Sequence, residues 1–310
     1  MDANATGSAL APSSLCSRDL DLAFWILDGI IAIVILVGNS LTCAVFLLNT
    51  NLRQNFMNVF LLSLACSDLL MSVLVVPWFA AFCETKCVYP LVKWCWLFGL
   101  LRDIPFEGVI LNLVAITYDR YLAVFQPLYY GAKMTKSRVV IILVLVWFLP
   151  VLTGLVRLSW LFTEMPDNRR KEIDRNLNIF LIFAFVLIPA IGIFVVNLMI
   201  MITIKSHKSR INPAVPSNGE TSDSERQRER IKKRKGTMSC VLVVLVFITC
   251  WLPRIFYNFF YLAKRPDLAS PIFIKVSMFF VIFQSTVNPF IYSFYRQEFR
   301  QYLLHLLHLN

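Results

Sequence analysis

Seven long blocks of the chain are apolar on every face, with polar residues gathered between them. They run over about 22–48, 56–82, 92–125, 138–160, 177–204, 237–262 and 271–294. A helix needs roughly 20 residues to cross the hydrocarbon core of a bilayer, so each block is long enough, some with tilt or overhang. An unbroken helix satisfies its own backbone where no water can. A transmembrane barrel would show alternating segments of about ten residues, and the sequence has none. The pattern predicts an all-α membrane protein: a seven-transmembrane helix bundle over residues 22–294, behind a tail at 1–21. After the last block, "YRQEFRQYLLHLLH" (295–308) places Phe299, Tyr302, Leu303, Leu306 and Leu307 at helical spacing. Residues 295–310 therefore read as a short amphipathic helix on the membrane surface.

Composition agrees. The 310 residues are 58% hydrophobic and 16% charged, and mean hydropathy is +0.66. Soluble domains sit nearer half apolar and a quarter charged. Residues 1–21 are small and polar, without the basic start and apolar run of a cleavable signal. Lysine and arginine set the orientation. Arg53, then Lys133, Lys136 and Arg138, then the cluster from Lys205 to Lys235, then Arg296 and Arg300 share one side. Opposite them, Arg169, Arg170 and Lys171 are offset by Asp167, Glu172 and Asp174. This predicts a multi-pass plasma-membrane protein, N-terminus extracellular and C-terminus cytoplasmic. An outer tail makes Asn4, in "NAT", a glycosylation acceptor.

The net charge of +11 raises nucleic acid as a partner, above all at "RQRERIKKRKG" (226–236). Beneath a membrane span such a run reads instead as a juxtamembrane base held by anionic lipid. The stretch before it, "NPAVPSNGETSDSE", is polar and rich in breakers, so the third inner loop, 205–236, is expected to be partly disordered. No nucleophile–base set, metal cluster or phosphate loop appears, so an enzyme is not expected. Without internal repeats, a transporter or channel is the weaker rival.

Polar residues inside a membrane are costly and mark function. Here every span has a landmark. They are Asn39, Asp68 in "LACSD", Asn112 with the pair Asp119–Arg120, Trp147, Pro189, "CWLP" (250–253) and "NPFIY" (288–292). A kink or a helix–helix contact explains any one of them, but not all of them in this order. Together they resemble the rhodopsin-like G-protein-coupled receptors, over residues 30–302. Within that family "ILNLVAITYDRY" is most similar to biogenic-amine receptors, and "LNTNL" and "NPFIYSFYRQEFRQ" to adenosine receptors.

The resemblance implies roles. Asp119 holds Arg120, beside Tyr121, until activation turns Arg120 toward a heterotrimeric G protein. Pro127 and Leu128 begin a loop that offers that partner an apolar knob. Trp251 and Pro253 form a lever with Phe247 below, and Asn288, Pro289 and Tyr292 a hinge. Asp68, Asn39, Ser285 and Asn288 line a pocket that often holds sodium, the one cofactor expected. The chain departs from the family at Val109, where many relatives have serine, and at Asn197, where most have tyrosine. The second departure suggests weaker activation and keeps open a weakly signalling receptor-like subunit.

Cys16, Cys83, Cys87 and Cys95 fall on the outer side and allow three complete pairings. The family usually bonds the cysteine at Cys95 to the second outer loop. Here that loop, about 159–176, has no cysteine, so a bond at Cys95 is expected to reach Cys16, Cys83 or Cys87.

The ligand contacts depart too. Amine receptors carry an aspartate where this chain has Arg102, with Asp103 next to it. Their aromatic pair after the proline is Arg254 and Ile255, and their span-five serines are Leu181, Ile182 and Phe185. Asn258 matches an adenosine-receptor asparagine, but that family's span-seven histidine is Ile282. A retinal Schiff base is not expected, because Val276–Pro289 has no lysine. There remains a cavity of Phe106, Leu181, Phe185, Trp251 and Met278, with two arginines at its mouth. Arginine binds planar anions through paired hydrogen bonds. The expected ligand is an extracellular small molecule with an acidic group and an apolar body. Asp103 and Glu107, four apart on one helical face, are the acids that could neutralise Arg102 internally. An amine at Asp103, or an adenosine-like ligand, is the alternative.

Overall fold

The computed structural model describes residues 18–77, 95–161, 163–210, 220–263, 265, 268 and 270–308. Asn4, Cys16, Cys83 and Cys87 lie outside these residues, as does the side chain of Cys95.

The described chain is helical. Helix α1 is Arg18–Leu48, and α2 is Phe56–Leu70, extended by a wide π-type turn, Met71–Val75. Helix α3 is Cys95–Phe125 and α4 is Lys136–Leu161. Helix α5 runs from Asp167–Leu181 through a second wide turn, Ile182–Leu187, into Ile188–Arg210. Helices α6, Glu220–Leu262, and α7, Pro271–Tyr295, follow, then a short α8, Gln297–Leu306. Among the described residues seven helices are long and apolar enough to cross a membrane, and there is no strand. With an odd number of spans, α1 begins at one end of the bundle and α8 lies at the other. These are called here the N-terminal and C-terminal ends.

Lipid-soluble packing explains the arrangement. The outer surface is apolar, with Ile33, Ile141 and Ile191 all well exposed, while Asn39, Asp68, Asn112, Ser285 and Asn288 are buried. Side-chain hydrogen bonds join the helices where hydrophobic contrast is weak. Trp147 Nε1 donates to Ser63 Oγ at 3.1 Å, tying α4 to α2, and Asn112 Nδ2 donates to Ser67 Oγ at 3.0 Å, tying α3 to α2. Small residues allow the closest approaches. A Cβ on Gly108 would meet Ser67 Oγ at 3.1 Å, and one on Gly38 would meet Pro289 Cγ at 3.0 Å. Pro189 has no N–H to offer the turn before it, and the wide turn Ile182–Leu187 precedes it directly.

Two boundaries differ from the sequence reading. Helix α5 begins at Asp167 rather than near 177, so most of the expected second outer loop is helix. Its polar turns are held to the end of α4: Trp160 Nε1 donates to Asp174 Oδ1 at 2.7 Å, and Arg170 Nη2 to the carbonyl of Thr163 at 3.0 Å. Helix α6 begins at Glu220, so the last part of the stretch read as a loop is helical. Glu220, Asp223 and Glu225 fall at its N-terminus, where the helix dipole favours acids. In α8, Phe299 is buried and packs on Phe46 and Tyr292 at ring separations of 5.4 and 6.0 Å. Leu303 and Leu306 pack against the same core, whereas Tyr302 and Leu307 are exposed.

Candidate functional site

A cavity of about 250 Å³ opens at the N-terminal end. Arg102, Asp103, Phe106 and Glu107 line it from α3, Leu181 and Phe185 from α5, and Trp251, Arg254 and Asn258 from α6. The α3 residues recur at helical spacing on one face. Ile255 and Met278 do not reach the cavity. Met278 is fully buried in the core and Ile255 packs against it, because the face of α6 that carries Trp251, Arg254 and Asn258 turns Ile255 aside. Ile110, Asn178, Ile182, Val186 and Tyr257 complete the lining. Asn178 could have been found from its place one turn before Leu181.

Charge at the cavity mouth is shared unevenly. Arg102 donates to Asp103 Oδ1 through Nε at 3.0 Å and Nη2 at 2.9 Å. Arg157, on α4, donates from Nη2 to Asp103 Oδ2 at 3.1 Å and to Asn178 Oδ1 at 2.7 Å. One carboxylate thus serves two guanidinium groups. Sequence reading missed Arg157, which lies 54 residues from Asp103 and carries no motif. Glu107 does not pair with Arg102. The Thr153 hydroxyl lies 3.0 Å from its Oε2 and 2.8 Å from the carbonyl of Pro150, and has one proton to give. Arg254 lies over the Tyr257 ring at 4.4 Å, a cation–π contact.

Below the cavity an aromatic column leads inward. Phe106 meets Trp251 edge to face at 5.8 Å, and Trp251 meets Phe247 at 5.3 Å. Deeper still, Asp68 Oδ1 accepts from Ser285 Oγ at 2.6 Å and Oδ2 from Asn288 Nδ2 at 2.7 Å. Asn39 Nδ2 donates to the carbonyl of Ser285 at 3.1 Å. Oδ1 of Asn39 and of Asn288 are buried without a hydrogen-bond donor. Hard cations take oxygens of these kinds. The set fits sodium, which Asp68, Ser285 and the amide oxygens would hold; Val109, fully buried, adds none.

At the C-terminal end Arg120 donates to Asp119 Oδ2 from Nε at 2.9 Å, and its Nη2 contacts the same oxygen. Tyr130 Oη donates to the other oxygen, Oδ1, at 2.7 Å. Burial first, then the Asp119 charge, push the Tyr130 phenol up, so it stays a donor. Tyr121 stacks on Phe125 at 5.1 Å, and Leu128 stands 93% exposed. Pro289 and Tyr292 are buried in α7, and the Tyr292 hydroxyl has no partner. Helix α6 sits close against the bundle: Cys240 Sγ lies 3.3 Å from Met57 Sδ of α2. Asn197 Nδ2 donates to Thr117 Oγ1 at 3.1 Å, joining α5 to α3.

Residues 38–292 match the model of the 7 transmembrane receptor (rhodopsin family). The chain belongs to that family. Among curated proteins, the receptor is 29% identical over 297 residues to the dog adenosine receptor A2a, covering 87% of this chain and 68% of the relative. It is 28% identical over 316 residues to the human histamine H2 receptor, covering 97% and 82%. It is also 28% identical over 322 residues to the mouse D(1B) dopamine receptor, covering 88% and 66%. These relatives are receptors and not enzymes. With that membership the receptor is a multi-pass membrane protein of the G-protein-coupled class, and the transporter alternative falls away.

Proposed function

We propose that the receptor binds an extracellular small molecule with an acidic group and an apolar body, and activates a heterotrimeric G protein in response. The observation that carries the ligand class is Asp103, which already accepts from both Arg102 and Arg157. Arg102 and Arg254 line the cavity and Arg157 reaches Asp103 beside it, so guanidinium donors stand where an anion would enter. Phe106, Phe185 and Trp251 supply the apolar contact. A ligand pressing on Trp251 would shift Phe247 and α6, which carries Pro253 within it, and so bias the Asp119–Arg120 pair between two states. The bias of lysine and arginine supports the N-terminus outside and the G protein at the α8 end. Sodium at Asp68 belongs to the same proposal, as a ligand of the resting arrangement.

A second reading is an amine held in the same cavity. Glu107 favours it, since this buried carboxylate has only a shared hydroxyl as donor, and relatives are named for histamine and dopamine. Nucleotide exchange on a panel of purified G proteins, driven by matched aromatic carboxylates and amines, separates the two. Activation by carboxylates that survives Glu107→Gln supports the anion. Activation only by amines, lost in Glu107→Gln, refutes it. No exchange with any ligand would favour a receptor-like subunit, for which the Asn197–Thr117 tie in place of the usual tyrosine is the structural motive.

A further inference from the structure

The cavity between α3, α5 and α6 is lined by both signs of charge. Arg102 and Arg254 bring guanidinium donors to it, and Glu107 brings a carboxylate. Glu107 is 5% exposed. It lies one helical turn deeper along α3 than Asp103, on the same face, an axial step of about 6 Å.

The two carboxylates of that face are not equivalent. Both oxygens of Asp103 accept from guanidinium groups, Oδ1 from Arg102 and Oδ2 from Arg157. Among the described residues the one hydrogen-bond donor to Glu107 is the Thr153 hydroxyl, 3.2 Å from Oε1 and 3.0 Å from Oε2, and that hydroxyl also reaches the Pro150 carbonyl. Arg157 acts on Glu107 through space, while its Nη2 donates to Asp103 and Asn178. A buried carboxylate is stable when donors answer it. Glu107 faces the cavity, so a further donor can come from what fills that space.

We propose, resting on the acid reading above, that the ligand is a zwitterion: a single amino acid with an aromatic side chain. Its carboxylate lies against Arg102 and Arg254, its ammonium donates to Glu107, and its ring meets Phe106, Phe185 and Trp251. Neighbouring ammonium and carboxylate groups bridge a step of one helical turn with a charge-assisted hydrogen bond at each end, about 2.8 Å apiece. The cavity, about 250 Å³, is smaller than the usual drug-sized pocket of roughly 300–1,000 Å³. That favours one amino acid over a peptide. A simple acid brings Glu107 no donor, and a simple amine makes no use of the guanidinium groups.

The test reads binding to the purified full-length receptor as a saturable rise in its thermal unfolding midpoint, with no G protein present. Two matched sets of probes are compared. One is phenylalanine, phenylpropanoate and phenylethylamine; the other is tryptophan, indolepropanoate and tryptamine. Within a set the amino acid should half-saturate roughly tenfold or more below both the acid and the amine, the worth of one charge-assisted contact. Glu107→Gln keeps the shape and removes the charge. It should weaken the amino acid roughly tenfold and leave the acid within about twofold. Arg254→Ala should weaken the amino acid and the acid and spare the amine. An acid that matches its amino acid overturns the zwitterion and leaves the acid reading standing. Binding by the amines alone overturns both. An amino-acid advantage that survives Glu107→Gln places the ammonium elsewhere and overturns the assignment, as does silence of both sets. The comparison within a set uses the unaltered receptor, so the proposal is decided even by a Glu107→Gln chain that does not fold.

Discussion

The two ends of the bundle use the same chemistry in opposite proportions. At the C-terminal end one carboxylate, Asp119, is fully buried and meets one guanidinium, that of Arg120, with 11% of its side chain exposed. At the N-terminal end Asp103 divides itself between Arg102 and Arg157, and all three side chains are 13–19% exposed. A one-to-one pair in a dry setting has two sharp states, joined or parted, since parting it strands a charge. A shared carboxylate in a partly exposed mouth can rearrange by degrees. The first arrangement suits a switch, and the second suits a recognition surface that must accept a new anion.

The sharpest way to break this contrast is at the switch. Arg120→Ala should abolish agonist-driven nucleotide exchange while leaving the receptor at the cell surface, measured by exchange on purified G protein and by surface labelling. Normal exchange would show that the pair is an ordinary ion pair. At the mouth the losses should be graded. A charge-assisted hydrogen bond contributes about 1.5–3 kcal/mol, so Arg254→Ala or Arg102→Ala should weaken an acidic agonist roughly ten- to hundredfold. Arg157→Ala should act less, because it frees Asp103 to bind Arg102 more closely. An agonist whose potency is unmoved by all three would remove the anion reading.

How far each end was legible follows from the same contrast. The proposed switch is local: Asp119 and Arg120 are adjacent, and a sequence motif names them. The landmark residues of the seven spans were legible for that reason, and the apolar blocks gave the spans themselves. The mouth depends on contacts between distant positions. Arg157 reaches Asp103 from another helix, and Asn178 reaches Arg157 because α5 starts ten residues earlier than its apolar block. Hydropathy cannot show a polar helical extension. Nor could spacing show that Met278 turns into the core, since it belongs to no motif.

Loosening the switch without deleting its arginine should have an intermediate effect. Asp119→Asn removes the negative charge and keeps the shape, so the joined state loses its Coulombic hold while Arg120 stays available to the partner. Basal nucleotide exchange should rise several-fold with no agonist present. A basal rate at or below that of the unaltered receptor would mean that Asp119 does not restrain Arg120.

The smallest effect tests whether the switch is really one-to-one. Tyr130 donates to Asp119 Oδ1, and Arg120 takes Oδ2, so the two do not compete for an oxygen. The phenol therefore steadies the carboxylate that holds Arg120, without touching Arg120 through that bond. Tyr130→Phe deletes one hydrogen bond to a charged acceptor, about 1.5–3 kcal/mol at most. Only the part that differs between the joined and parted states shifts the equilibrium. Basal exchange should then rise by less than in Asp119→Asn, on the order of twofold. Because Tyr130 acts through Asp119, the two changes should not add: in an Asp119→Asn background, Tyr130→Phe should do nothing further. A basal rise equal to that of Asp119→Asn, or one that persists in its absence, would place Tyr130 in the switch as a second restraint, and the end of the bundle would then share its charge as the mouth does.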